Sequence, residues 1–232
     1  MNPRFDTRDA SDTLFRLGRK PDVWGWTDWA YAGDDGRFNN RWDDSLGTYR
    51  VLYTSCSRLG AYLEVLAEYR PDLNVLAEIS EIDQNDAGAP PTSAPGSLPP
   101  RWRAERILQQ GISSGVRKPL VDVGGTTSLA TLRRELAAEA LRLGIREVDA
   151  ATIRERATRR FTQRVSSFIY EQPELYAGIF YLSRFGNDAA HCAIFERSDD
   201  SDFPVVHLDR SEIELNDEDF LEACRLHGIQ PS

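Results

Sequence analysis

Glu64 is hard to explain by packing, because it lies in a helix-like segment but outside the apolar face of that helix. Residues 49–66 read YRVLYTSCSRLGAYLEVL, the pattern of a strand followed by a helix. The apolar positions of the helix recur at helical spacing: Leu59, Tyr62, Leu63 and Leu66. The neighbours of Glu64 one turn away are Gly60 and Glu68, so no helical ion pair accounts for it. A carboxylate in this position fits an acid that faces a cleft.

A glycine-containing turn at 121–128, VDVGGTTS, offers a second kind of chemistry. A strand, a glycine turn and a helix start can together hold phosphate on backbone N–H groups. The segment matches neither the GxGxxG nor the GxxxxGK[ST] pattern, however. A plain turn capped by Thr127 or Ser128 is therefore the favoured interpretation.

Two other motifs are short. Ser183 with His191 could belong to a serine-hydrolase triad, but the GxSxG elbow is absent from the sequence. Gln172 and Glu174 in EQPEL resemble the QxE of arginine-directed ADP-ribosyltransferases, although an acidic helix end is the simpler interpretation. Neither motif identifies a reaction by itself.

A larger constellation spans the first third of the chain. It consists of LFR at 14–16, GRFN at 36–39, LYTS at 52–55 and AYLE at 61–64. It resembles the RES domain family, which typically shows G-R-[WF]-N, L-Y-x-[SA] and then A-x-x-E with the Glu eleven positions past the Tyr, as here. A shorter match is YLSRFG at 181–186, which contains the family's serine. Residues 84–170 make the separation of the Glu and the Ser wider than in compact members.

The resemblance implies a fold and an activity. RES proteins are similar to ADP-ribosyltransferases, which implies an α+β core of mixed or antiparallel sheets with flanking helices. Their characterised members are toxins of bacterial toxin–antitoxin pairs that hydrolyse or phosphorolyse the nicotinamide–ribose bond of NAD⁺ and arrest growth. NAD⁺ would then be the substrate, phosphate a possible co-substrate and an antitoxin a partner, with no metal or resident cofactor. The resemblance is also compatible with a homodimer of the chain.

The resemblance also implies site residues. Cleavage of the N-glycosidic bond develops positive charge on the ribose, and the Glu64 carboxylate would stabilise it. Arg37 would grip the pyrophosphate through its planar guanidinium, with Arg16 assisting from the first strand. Gly36 would let the backbone approach the ligand, and Asn39 of the same motif would help to bind it.

Two further residues complete the expected site. Tyr53, at a strand end, would stack on the nicotinamide ring or hydrogen-bond a ribose. Ser183 would donate a hydrogen bond to the nicotinamide-side ribose or to an incoming phosphate.

Two alternatives remain open at this point. One is transfer of ADP-ribose to a protein side chain, with Gln172 and Glu174 involved. The other is a non-catalytic module whose long 84–170 region binds an antitoxin or a second copy of the chain.

Composition narrows the range of partners. The 232 residues carry a formal net charge of −9, which argues against a nucleic-acid surface. One basic cluster is expected to be a solvated, partly ion-paired face, or else a contact for an acidic partner protein: Arg154, Arg156, Arg159, Arg160 and Arg164. No apolar run reaches the ~20 residues of a membrane span, and no signal-like stretch opens the chain, so a cytoplasmic protein is expected. The three cysteines and three histidines have no spacing typical of a disulfide framework or a metal site.

The elements that must position these residues follow from periodicity. Strands are predicted at 14–18, 49–54, 74–82, 115–123, 177–183, 191–197 and 204–208. Helices are predicted from Ser55 or Ser57 to 66, at 129–143, from Asp149 to Tyr170, and from an Asn216 cap to Gly228. Residues 84–101 form a Pro-rich loop, and 102–170 are interpreted as a mostly helical insertion. Together these elements predict one α+β domain over 1–232.

Overall fold

A computed structural model of the chain describes residues 3–74, 96–172, 176–197 and 204–231. Within these ranges one sheet of eight strands runs in the order β1-β5-β6-β7-β3-β2-β4-β8. The strands are β1 (Thr7–Arg8), β2 (Thr13–Arg19), β3 (Val51–Ser55), β4 (Arg106–Ile112), β5 (Leu120–Asp122), β6 (Gly178–Leu182), β7 (Ala190–Phe195) and β8 (Val206–Glu212). Only β5 and β6 pair in parallel. A largely antiparallel sheet with flanking helices confirms the predicted α+β class.

Six α-helices accompany the described part of the sheet. They are α1 (Arg58–Leu66), α2 (Thr126–Glu135), α3 (Ala137–Arg142), α4 (Ala150–Arg154), α5 (Arg159–Tyr170) and α6 (Glu218–His227). Single 3₁₀ turns lie at Trp29–Tyr31 and Ala67–Tyr69.

The helices form two groups over the sheet, each with its own apolar core. The buried faces of α1 and α6 pack with Leu17 and Leu108 of the strands β2 and β4. The buried residues of α2 to α5 pack with Val121, Ile179 and Phe195 of the strands β5, β6 and β7. The apolar residues of β2, β3 and β7 that point to the other side of the sheet form a third cluster, under Trp24. The two helical groups leave a cleft between them over the middle strands.

The interpretation of 102–170 as mostly helical is wrong for residues 106–112. These residues form β4, which pairs with β2 along its whole length and with β8 on its other side. The segment reads RILQQGI, and two adjacent glutamines interrupt the apolar alternation that would have indicated a strand. Gln109 is nevertheless buried and accepts a hydrogen bond from the backbone of Val23 at 3.4 Å.

Two predicted helices are each divided in the structure. The helix expected at 129–143 consists of α2 and α3, which meet at Leu136. The one expected from Asp149 to Tyr170 consists of α4, which Asp149 caps through the N–H of Thr152, and α5, which begins after Thr158. The strand predicted at 74–82 and most of the loop predicted at 84–101 lie outside the described residues.

The C-terminal helix begins one residue later than predicted, because Asp217 and not Asn216 is its cap. The Asp217 carboxylate accepts hydrogen bonds from the N–H groups of Asp219 and Phe220. It also pairs with Arg58 at 2.7 Å and accepts from the Tyr62 hydroxyl at 2.8 Å, which ties α6 to α1. Gly228 ends the helix in the left-handed region, as predicted.

Replacing Asp217 with alanine should therefore lower the free energy of unfolding by about 2 kcal/mol, since a helix cap and two side-chain bonds are lost together. Asn216→Ala is the matched control and should change it by less than about 0.5 kcal/mol. Urea unfolding followed by circular dichroism measures both. A larger loss for Asn216→Ala would contradict this assignment of the cap.

Candidate active site

A cleft of about 540 Å³ opens between the two helical groups. Its floor is a row of side chains that the strand registers place side by side. Phe15 lies opposite Ser55, Ser55 opposite His191, and His191 opposite Tyr181, across β2, β3, β7 and β6. All four residues line the cleft. Its volume lies within the range of roughly 300–1,000 Å³ that is typical of small-molecule sites.

Glu64 projects from α1 into this cleft and is held by a residue far away in the chain. The Ser183 hydroxyl donates to Oε1 of Glu64 at 2.6 Å, across a sequence separation of 119 residues. Ser183 is buried and accepts in turn from the N–H of Phe185 at 3.0 Å. The Glu64 side chain is 37% exposed, so it remains open to a ligand.

Ser183 itself is not part of the cleft wall. Its single hydroxyl proton is donated to Glu64, so it cannot also be donated to a ligand while that bond is in place. The structure brings together the glutamate and the serine that the sequence singled out.

Gly60 lets α1 approach the strand ends closely enough to deliver Glu64. A β-carbon at this position would collide with the Ser55 hydroxyl, lie 2.9 Å from the hydroxyl of the helix cap Ser57, and lie 3.6 Å from Cε1 of His191. The Ser57 hydroxyl accepts from the Gly60 N–H at 3.0 Å, which fixes this first turn. The residue one turn before Glu64 is therefore small for a structural reason.

His191 is the cleft residue that sequence reasoning missed, since the sequence offered it only as a member of a serine-hydrolase triad that lacks its GxSxG elbow. Its ring is buried and stacks on Tyr181, with ring centres 5.4 Å apart. Its Nε2 lies 3.6 Å from Oε1 of Glu64. Burial lowers its pKa, although the charge of Glu64 and a hydrogen bond to the backbone of Thr54 act in the other direction. As expected for adjacent strand residues, Cys192 points to the opposite face, where its sulfur lies 4.0 Å from that of Cys56.

Five arginines line the cleft: Arg16, Arg41, Arg156, Arg159 and Arg184. Three acids also line it: Glu64, Glu68 and Glu155. The cleft therefore carries an excess of basic side chains, although the net charge of the chain is −9. Burial lowers the pKa of Arg184, and the charges of Arg41 and Arg156 lower it further. Arg184 therefore lies close enough to Arg41 and Arg156 to be affected by their charges, and such a group of cations suits the binding of an anion.

The Arg16 side chain is partly buried in the cleft wall. It donates to the carbonyl oxygens of Val23 and Gly25. Burial lowers the pKa of Arg16 to about 10, so it stays charged at neutral pH. Its position in the cleft wall agrees with the expectation from the LFR segment.

The structure does not bring Arg37, Gly36 or Asn39 to the wall of this cleft. Gly36 has φ +73° and forms a turn in which Gly33 and Arg37 are hydrogen-bonded, so the turn directs Arg37 to solvent. The Arg37 side chain is half-exposed and lies 4.0 Å from Asp35. Asn39 is exposed, and its carbonyl accepts from Arg159 at 2.9 Å.

Arg41, four residues after Arg37, is the arginine of this loop that reaches the cleft. It donates to the carbonyls of Ile153 and Arg154, the latter at 2.8 Å. The expectation that Arg37 and Glu64 share one cavity is therefore wrong. The loop borders the cleft through Arg41, whereas the turn at Gly36 directs Arg37 away from it.

Tyr53 lines the cleft with its ring and uses its hydroxyl to hold the loop that carries Arg41. The hydroxyl donates to Oδ1 of Asp43 and accepts from the N–H of Trp42, both at 2.9 Å. Burial raises the pKa of Tyr53 well above its usual value, so the hydroxyl remains protonated. Stacking of the ring on a ligand is compatible with this position.

One family model, described as the RES domain, matches residues 13–215 of the chain. The chain belongs to the RES domain family. Among solved structures, the M. tuberculosis MbcT–MbcA toxin–antitoxin complex is 10% identical and gives a TM-score of 0.45, with 96% of this chain and 92% of that chain covered. No curated protein matches the sequence significantly.

The remaining sequence motifs of this RES domain have structural explanations where the structure describes them. At the glycine turn of 121–128, the predicted cap by Thr127 or Ser128 is wrong, because α2 begins at Thr126 and its cap position is Gly125. The Asp6 carboxylate occupies the start of α2 instead and accepts from the N–H groups of Thr127 and Ser128 at 2.7 and 3.3 Å. Gln172 lies outside the cleft wall, and Glu174 lies outside the described residues.

The described part of the RES domain contains neither a cluster of metal ligands nor a membrane-spanning helix. Within the described ranges, no three or more His, Cys, Asp or Glu side chains cluster as metal ligands would. In the same ranges, no helix has both the length and the apolar character required to cross a bilayer.

The stability of the RES domain should fall as the pH is lowered from about 7 to about 5.5. Burial lowers the pKa of His191 and of His227 in the folded chain, whereas an unfolded histidine titrates near 6.5. Below that pH the unfolded chain binds protons that the folded chain does not, so the stabilisation is complete above about 6.5 and is lost on acidification.

His191→Phe should make this slope shallower by up to about 1.4 kcal/mol per pH unit, the limit for one proton. Urea unfolding at a series of pH values measures it, with His207→Phe on the exposed strand β8 as the control. Equal slopes for the wild type and His191→Phe would contradict a buried, neutral His191.

Proposed function

We propose that this RES domain is a toxin-type enzyme that cleaves the nicotinamide–ribose bond of NAD⁺, arresting growth by depleting the cellular dinucleotide. The observation that carries the proposal is the Glu64 carboxylate, oriented by Ser183 at the floor of a cleft that five arginines surround. A cognate antitoxin that restrains the enzyme in the cytoplasm is part of the proposal.

Glu64 would act at the ribose. When the N-glycosidic bond breaks, nicotinamide leaves as a neutral molecule with the bonding electron pair, and positive charge develops on the ribose. The carboxylate would stabilise this charge from a fixed position, since one oxygen is held by Ser183 and the other is free for the substrate. Water would then add at the ribose carbon and release a proton to give ADP-ribose, or phosphate would add to give its 1-phosphate.

The arginines would bind the pyrophosphate. The charges of Arg41 and Arg156 act unfavourably on Arg184, and a dianion bound beside Arg184 would offset that repulsion. The floor residues Phe15 and Tyr181, with the ring of Tyr53, offer apolar surface for the nicotinamide.

A second cleft supports binding of the whole dinucleotide. It has a volume of about 930 Å³ and shares Glu155, Arg156 and Arg159 with the first. The adenosine half of NAD⁺ would extend into it past the shared arginines. Arg156 and Arg159, which belong to the basic cluster interpreted from the sequence as a solvated face or a partner contact, would then contact the substrate.

Glu64→Gln should lower nicotinamide release from NAD⁺ by at least about a thousandfold, because the amide keeps the size of the side chain but not its charge. Glu105→Gln, an exposed glutamate outside the cleft, is the matched control. Purified proteins are incubated with NAD⁺ with and without phosphate, and mass spectrometry of the products also identifies the acceptor. Undiminished activity of Glu64→Gln would remove this carboxylate from the mechanism.

Arg184→Gln should raise the KM for NAD⁺ by roughly tenfold to a hundredfold, because a charge-assisted contact with the pyrophosphate is lost. The KM for nicotinamide riboside, which has no phosphate, should change little. Arg37→Gln is the comparison and should behave as the wild type does. The reverse result, a raised KM only for Arg37→Gln, would return the phosphate-binding role to that residue.

A further inference from the structure

The starting observation is a buried nitrogen atom on the cleft floor. His191 is 98% buried, and its Nε2 has no hydrogen-bond partner within the part of the chain that the structure describes. Such atoms are rare in native proteins, because burial removes their bond to water and normally supplies another. This one belongs to a side chain that lines the substrate cleft.

The protonation pattern of the ring follows from its other contact. We assign the proton of the neutral ring to Nδ1, because the backbone of Thr54 favours a proton on the imidazole and Nε2 has no partner among the described residues. In a neutral ring the nitrogen that does not carry the proton is an acceptor. Nε2 therefore presents a lone pair to the cleft.

The group that Nε2 faces is also an acceptor. Oε1 of Glu64 lies 3.6 Å away, too far for a direct hydrogen bond, and already accepts from Ser183. Within the described residues, Arg41 donates to the carbonyls of Ile153 and Arg154 and makes no hydrogen bond to either group. Two acceptors side by side suit a ligand with two adjacent donors.

The ring is not free to turn away from this role. Tyr181 stacks on one side of it, and α1 crosses close to Cε1 at Gly60. Stacking and the bond to Thr54 together fix the direction of the Nε2 lone pair.

We propose that His191 and Glu64 bind the vicinal diol of the nicotinamide-side ribose, with one hydroxyl donating to Nε2 of His191 and the other to the Glu64 carboxylate. This rests on the proposed function for the identity of the ribose. It adds a substrate-binding residue and makes the cleft selective for a ribosyl group over a deoxyribosyl group.

The first test compares enzyme variants on substrate analogues. His191→Phe should lower kcat/KM for NAD⁺ by about tenfold, the loss expected for one hydrogen bond in a buried site. It should cause little further loss on whichever analogue, 2′-deoxy or 3′-deoxy in the nicotinamide ribose, lacks the hydroxyl that His191 accepts. Because the two enzymes are compared on each substrate, the intrinsic reactivity of the analogue cancels.

Two further variants distinguish this role from a structural one. His191→Gln retains a side-chain acceptor and should recover part of the loss, whereas His207→Phe on the exposed strand β8 should leave kcat/KM unchanged. Equal losses for His191→Phe on NAD⁺ and on both analogues would overturn the proposal.

The second test uses the wild-type protein and does not depend on catalysis or on the folding of a variant. Nitrogen NMR of histidine-labelled protein should show the proton of His191 on Nδ1, and the Nε2 resonance should move upfield when ADP-ribose is added. A proton on Nε2 in the free protein, or an Nε2 resonance unmoved by saturating ADP-ribose, would overturn the diol assignment. A protein that shows this shift but releases no nicotinamide would contradict the proposed function and support the diol site.

Discussion

The hydrogen bond between Ser183 and Glu64 is the contact on which the cleft depends. It joins α1, which packs with α6, to the end of β6, which packs with the other helical group. Neither helix propensity nor apolar burial would hold a half-exposed glutamate in one rotamer. A buried hydroxyl, itself oriented by the Phe185 N–H, does so at 2.6 Å and gives the carboxylate a fixed direction into the cleft.

The arginines around this carboxylate are fixed by a different kind of partner. Arg16, Arg41 and Arg159 donate to backbone carbonyl oxygens and form no ion pair within the described residues. A carbonyl orients a guanidinium without neutralising it, so the positive charge remains available to a ligand. Elsewhere the same chain pairs arginines with acids, as in Arg50–Glu196 and Arg58–Asp217. The arginines that are paired with acids stabilise the fold, whereas those bonded to carbonyl oxygens keep a charge that a ligand can use.

Sequence reasoning predicted the elements around the cleft better than the register that assembles it. The strand and helix at 49–66 follow from local periodicity, and the placement of Glu64 and Ser183 in one site follows from the family resemblance, although the hydrogen bond between them was not predicted. The row from Phe15 to Tyr181 depends on how four strands align, which no local pattern encodes. His191 was missed for that reason, since its strand HCAIF shows only that it shares a face with Ala193 and Phe195.

Arg37 illustrates a different limit. The motif placed an arginine in this loop, but residue types and their spacing do not determine the direction in which a side chain points. Gly36, with φ +73°, closes a turn at this point. The chain comes back to the cleft at Arg41, where Tyr53 and Asp43 anchor the loop. β4 shows the same limit in a strand, because Gln109 is buried by its neighbours and not by its own polarity. At Gln109 the deciding neighbours are distant in sequence, whereas at Arg37 the deciding interaction is a local turn.

The charge state of His191 completes the electrostatic design of the cleft. A protonated imidazole 3.6 Å from Glu64 would offset much of the charge of that carboxylate. Burial disfavours that protonation, although the charge of Glu64 and the backbone of Thr54 act in the other direction. A neutral His191 leaves Glu64 without an ion-pair partner within the described residues, just as Arg16, Arg41 and Arg159 have none there. The cleft therefore separates an acid from its cations, an arrangement that would match the proposed substrate, with a cationic ring at one end and phosphates further along.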